Sequence, residues 1–139
     1  MGLNSPTIYL DSCIAIYLVE EHPAFAPQLE SLLDTEQKAN LAISDLTILE
    51  CLIGPLRSGN KQLETKFMNW FDDVFVFPIP IAIFQLAAHL RADHRSLKTP
   101  DALHLATALH HRCDEFWTND DRLDKAAPEL VKNIIAHSD

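Results

Sequence analysis

Thr7-Ile8-Tyr9-Leu10-Asp11-Ser12 has the look of a strand that breaks off at an acid. A β-branched and aromatic apolar run stops abruptly at an acid. From Ser12 to Val19, small and apolar residues follow at helical spacing, with Ser12 available as an N-cap. A carboxylate therefore stands where a strand gives way to a helix.

Working outward, the same alternation recurs. Pro23 to Lys38 reads as a helix with Phe25, Leu29, Leu32 and Leu33 on one face. Asn40 to Ile43 is a second short strand. Ser44-Asp45 caps a helix over about Leu46 to Ile53, which Gly54-Pro55 is expected to stop. Ser58 to Phe71 is helical, with Phe67 and Trp70 read as core or dimer surface. Val74 to Phe77 is a strand closed by Pro78 and Pro80, and Ala82 to Leu97 is helical. Thr99 as N-cap and Pro100 at the first position open a helix through His111. Glu115 to Thr118 is a strand entering the turn Asn119-Asp120-Asp121, and Val131 to Ala136 is a last edge strand. Short strands alternating with helices predict an α/β fold, with a mainly parallel sheet covered on both faces. No repeat or Pro/Gly/Ser linker divides the chain, so residues 1–139 read as a single domain.

The 139 residues are 47% hydrophobic and 22% charged, ordinary for a globular protein. No uncharged apolar run approaches the ~20 residues a membrane-spanning helix needs, and the expected compartment is the cytoplasm. Cys13, Cys51 and Cys113 are odd in number and far apart, which disfavours a disulfide framework or zinc site. They read as small buried hydrophobes. Twenty Asp and Glu against eleven Lys and Arg give a net charge of −9. A nucleic-acid binder normally shows a basic face. Clustered carboxylates must therefore be neutralised by divalent metal or covered by a basic partner.

Four acids stand out. Asp11 and Asp120 follow strands, where ligands of parallel sheets collect. Glu50 interrupts the apolar segment Leu46 to Ile53, and an acid there is seldom buried without a partner. Asp101 lies in the first turn of its helix, facing the positive end of the dipole. Each has a bland reading taken alone, as turn residue or dipole complement, but together they predict one site. Hard oxygen donors without His or Cys clusters select Mg²⁺ or Mn²⁺, which suits phosphodiester hydrolysis. His104, three residues after Asp101, is expected to pack within the fold, with phosphate contact as the other reading. Arg57 is read as solvated, and Arg122 is left open between solvent and a substrate phosphate.

Ile8-Tyr9-Leu10-Asp11-Ser12 resembles the opening motif of PIN-domain nucleases. Ile43 to Glu50 resembles the segment carrying that family's glutamate, and Thr99 to Ala108 the helix with its third acid. Phe116-Trp117-Thr118-Asn119-Asp120-Asp121-Arg122-Leu123 is similar to the final Thr-x-Asp motif. Four such motifs in order span nearly the whole chain, and the compact length further resembles VapC-type toxins. The resemblance implies a three-layer α/β/α sandwich and Mg²⁺- or Mn²⁺-dependent cleavage of RNA. It also implies homodimers, and a small antitoxin whose C-terminal tail blocks the site. It places Asp11, Glu50, Asp101 and Asp120 as catalytic and metal-holding residues, with Ser12, Thr118 and Asp121 supporting them from outside.

Three rivals remain. A haloacid-dehalogenase-type phosphatase needs a second aspartate two residues after the first, where this chain has Cys13, and no downstream lysine motif is evident. A receiver domain wants adjacent early acids and a late lysine. A non-catalytic interaction module on a nuclease scaffold would not need four intact acids.

Overall fold

A computed structural model describes residues 5–35 and 38–135. Its element order is β1 (Thr7–Leu10), α1 (Ser12–Val19), α2 (Ala26–Thr35), β2 (Asn40–Ser44), α3 (Asp45–Ser58), α4 (Lys61–Phe71), β3 (Phe75–Phe77), α5 (Ile81–Asp93), α6 (Thr99–His110), β4 (Glu115–Thr118), a 3₁₀ turn (Asp121–Leu123) and β5 (Val131–Asn133). The sheet order is β3-β2-β1-β4-β5, and all four pairings are parallel.

Period-two alternation in the strands sorts side chains onto two cores. Ile8, Leu10, Ile43 and Trp117 face one cluster, built with Ile14, Leu29, Cys51 and Phe67 from α1 to α4. Tyr9, Ala42 and Phe116 face the other, with Ile83, Ala87, Leu105 and Ala106 from α5 and α6. Two helical layers thus enclose the sheet as an α/β/α sandwich. The chain winds outward from β1 to β3, then crosses back to place β4 on the far side of β1. That reversal leaves a crevice at the carboxyl ends of β1 and β4, the usual ligand position in such sheets.

Several boundaries differ from expectation. Asp11 rather than Ser12 caps α1, its carboxylate accepting the Ser12 N–H. Lys98 rather than Thr99 is the N-cap of α6, and Thr99 instead accepts a 2.9 Å bond from Arg91. The α2 helix begins only at Ala26, because His22 Nδ1 accepts the N–H groups of Ala24 and Phe25. The expected span of α2 through Lys38 includes Glu36 and Gln37, and that of β5 includes Ala136; these three lie outside the described residues. The α5 helix stops at Asp93, short of Leu97.

The largest correction is α3, which runs through Gly54-Pro55 to Ser58. Proline conflicts with a helical predecessor chiefly through that residue's Cβ and N–H, and Gly54 has no Cβ. Pro55 sits one turn from the helix end, so a single hydrogen bond is forfeited, and its ring is buried. The true stop is Gly59 at φ 69°, a left-handed C-cap. The Asn60 N–H returns to the Pro55 carbonyl at 2.9 Å, and the Asn60 side chain then caps α4.

No heavy atom would crowd a side chain at Gly59, so only the backbone conformation opposes replacement. Gly59→Ala should lower the unfolding free energy by about 1 kcal/mol, the usual left-handed penalty of an L-residue. Urea denaturation followed by circular dichroism checks it; an unchanged midpoint would mean that the α3–α4 turn relaxes.

Candidate active site

Parallel register of β1 with β4 places Asp11 beside Thr118. The Asp11 N–H continues the ladder to the Trp117 carbonyl at 2.9 Å. With its backbone held by the sheet, the Asp11 carboxylate is oriented at both oxygens. Oδ1 accepts the Ser12 N–H at 2.8 Å, and Oδ2 accepts the Thr118 hydroxyl at 2.8 Å. The Thr118 Oγ1 also accepts the Asp120 N–H at 3.1 Å, joining the two acid-bearing strand ends. Asp11 is only 9% exposed.

Asp101 enters from the first turn of α6 and is half-buried. Burial pushes its carboxyl above the ordinary range, and the neighbouring charges of Asp11 and then Asp120 push it further, against weaker lowering by His104 and Arg122. Three of the four expected acids therefore stand near one another, close enough for Asp11 and Asp120 to act on Asp101. Asp120 is stabilised differently. The Arg122 guanidinium grips its carboxylate, with a shortest contact of 2.6 Å, and holds it below the usual range.

Glu50 reaches the same region from α3 but faces a hydrogen-bonded group within the fold. Its Oε1 accepts the Ser12 hydroxyl at 2.6 Å and lies 2.5 Å from His104 Nε2. A carboxylate can only accept, so the Nε2–H donates. Burial would raise the Glu50 carboxyl, but the bonds from His104 and Ser12 outweigh it and leave it below its ordinary value. His104 is 1% exposed, and its Nδ1 lies 2.7 Å from the Tyr9 hydroxyl. That hydroxyl is in turn 2.9 Å from Ser44 Oγ. The expectation that His104 packs inside is met by its burial, whereas its link to Glu50 was not foreseen. The signals were a tyrosine hydroxyl on an inward-facing strand position and a histidine one turn from Asp101; both need buried partners.

Ser12 donates its hydroxyl to Glu50 and Thr118 donates its own to Asp11, so both face the acidic cluster. Asp121 does not join it. Its side chain is exposed and accepts the Asn133 amide at 2.7 Å, because consecutive residues of the turn point apart. Among the described residues, no three His, Cys, Asp or Glu side chains converge as they stand on one metal position.

A family model described as the PIN domain matches residues 8–128. No curated protein sequence matches. Solved structures resemble the fold throughout. A chain of VapBC2 from Rickettsia felis bound to a promoter DNA fragment superposes with a TM-score of 0.74 at 17% identity, covering 91% of this chain and 97% of that one. A chain of a toxin–antitoxin complex from Klebsiella pneumoniae gives 0.74 at 25% identity, with the same coverage. VapC20 from Mycobacterium tuberculosis, described as a sarcin–ricin loop cleaving toxin, gives 0.69 at 14%, covering 86% and 95%.

The sign of the Asp101 shift has a measurable consequence. A carboxyl raised in the folded state weakens folding at pH values above that raised pKa, and the penalty vanishes as pH falls below the unfolded-state value. Asp101→Asn should therefore stabilise the protein at neutral pH, read as a higher urea midpoint than wild type. The gain should close as pH drops below the ordinary carboxylate range. Urea midpoints across pH test it, and a variant less stable than wild type at pH 7 would contradict the crowding.

Proposed function

The chain belongs to the PIN-domain family, and from that premise we propose that it is a metal-dependent endoribonuclease, the toxin of a type II toxin–antitoxin pair. The observation that carries this reading is the placement of Asp11, Asp101 and Asp120 at the switch point of the sheet, where the charges of Asp11 and Asp120 both act on Asp101. Holding like charges together is unfavourable unless a cation joins them. The donor set consists of oxygens. His104, the buried nitrogen ligand nearby, has both ring nitrogens engaged, by Tyr9 and Glu50. Such a site suits Mg²⁺ or Mn²⁺ better than zinc.

In this scheme Asp11, Asp101 and Asp120 hold the cation directly or through water. Asp101, whose carboxylate accepts no hydrogen bond from the described residues, is the most available of them. The bound cation supplies charge neutralisation at the phosphate and a more acidic water. Glu50 is kept ionised by Ser12 and His104, and it accepts the proton of the attacking water. Ser12 and Thr118 keep the two carboxylates in fixed orientations.

Likeness to toxin–antitoxin structures supports an antitoxin partner, a small protein whose tail covers the acidic crevice. A net charge of −9 favours a basic tail. We assign the homodimer contact to α3, where Leu49, Ile53 and Leu56 form an apolar stripe at helical spacing, 58%, 39% and 59% exposed. Residues 1–139 act as one nuclease domain. Among the described residues no helix is long and apolar enough to cross a membrane, which fits a cytoplasmic protein. A non-catalytic interaction module draws support from the internal partners of Glu50 and Asp120.

Asp11→Asn separates the two readings. The variant should keep its circular dichroism spectrum while metal-dependent RNA cleavage falls by a factor on the order of 10²–10³. EDTA should abolish wild-type cleavage, and excess Mg²⁺ or Mn²⁺ should restore it. Cleavage that survives both treatments would refute the metal site. For the dimer, Ile53→Glu should shift the sedimentation-equilibrium mass from two chains to one, since a buried unpaired charge disfavours association; a wild-type monomer would refute the α3 contact.

A further inference from the structure

Arg122 lies in the 3₁₀ turn after β4, and its side chain is 59% exposed. It nonetheless folds back completely onto Asp120. Its Nε lies 3.0 Å from Oδ1 and 3.2 Å from Oδ2, and Nη2 lies 2.6 Å from Oδ2. Its own N–H also donates to Oδ1 at 2.9 Å. Both oxygens of Asp120 are thus occupied by an internal cation. A divalent ion and a guanidinium cannot share the same lone pairs without strong repulsion. The pair is also a solvent-exposed one, of the kind that exchanges readily.

A guanidinium displaced from Asp120 stays tethered at the crevice mouth by the short turn. Its planar fork fits a phosphate as well as a carboxylate. The chain carries nine more acidic than basic residues, so an RNA strand approaching this crevice needs local positive charge. Arg122 and Lys98 both act electrostatically on Asp120, and Arg122 acts on Asp101 as well.

We propose that Arg122 serves two partners in turn: it closes the Asp120 carboxylate in the metal-free protein, yields it to the divalent cation, and then holds a phosphate oxygen of the RNA. The proposal rests on Asp120 being a metal ligand, as the nuclease reading has it. It predicts opposite effects at the two partners, which a simple surface ion pair would not produce.

The test uses Arg122→Gln and, as a control for the site, Asp101→Asn, with folding checked by circular dichroism. Binding of Mn²⁺ to the RNA-free protein is followed by electron paramagnetic resonance, and cleavage of a single-stranded RNA at saturating metal gives kcat and KM. Arg122→Gln should bind Mn²⁺ about fivefold more tightly. Its KM for RNA should rise on the order of tenfold with kcat little changed. Arg122→Lys should recover part of the KM loss. Unchanged or weaker Mn²⁺ binding in Arg122→Gln, or an unchanged KM, overturns the proposal. If Asp101→Asn leaves Mn²⁺ binding intact, the metal lies elsewhere and the nuclease reading fails with it; if Asp101→Asn abolishes binding while Arg122→Gln does not alter it, only the role of Arg122 falls.

Discussion

Everything at the crevice depends on the parallel pairing of β1 with β4. Strands distant in sequence become neighbours only because the chain crosses the sheet after β3, and their register sets the Leu10 backbone opposite Trp117. That single alignment puts the Thr118 hydroxyl on the Asp11 carboxylate and brings Asp120 to the same edge. A slip of one residue would turn Asp11 and Thr118 toward opposite faces. It would also exchange the side chains delivered to the two cores, since Tyr9 and Phe116 stack on one side while Leu10 and Trp117 pack on the other. Core packing therefore enforces the geometry of the polar site.

The crevice holds its acids by two different means. Asp11 and Glu50 are locked by neutral or ring donors supplied from the start of α1, the end of β4 and α6. Asp101 and Asp120 are left to electrostatics, one repelled by its neighbours and the other gripped by Arg122. Rigid and exchangeable carboxylates in one site suit a cation that must enter, complete its shell with substrate oxygens, and leave room for water. The series Ser44, Tyr9 and His104, all buried, ends on the half-buried Glu50 and runs from β2 through β1 and α6 to α3, so the orientation of Glu50 is tied to four elements.

Three of the four acids also serve local backbone roles. Asp11 does cap a helix, Asp120 does cap the 3₁₀ turn, and Asp101 does sit in a first turn. Capping and site formation are compatible, because helix N-termini after parallel strands point at the same crevice in which ligands collect. Local signals of this kind identify where an acid stands but not whether it works alone.

Alternation of short apolar runs with helical periodicity was enough to specify the α/β/α sandwich, since the number and order of elements follow from local patterning. The candidates Asp11, Glu50, Asp101 and Asp120 were legible because each occupies a strand end, a first turn or an apolar helix face. Gly54-Pro55 misled as a helix stop because whether a proline is tolerated depends on the packing of its ring and on its predecessor. The partners of each side chain were decided only by tertiary structure. That His104 holds Glu50, that Asp121 turns to Asn133, and that Arg122 covers Asp120 depend on distances and directions. The His104–Glu50 contact spans 54 positions and Thr118–Asp11 spans 107, and such pairings leave no periodic trace in sequence; the local Arg122–Asp120 contact depends instead on the turn conformation.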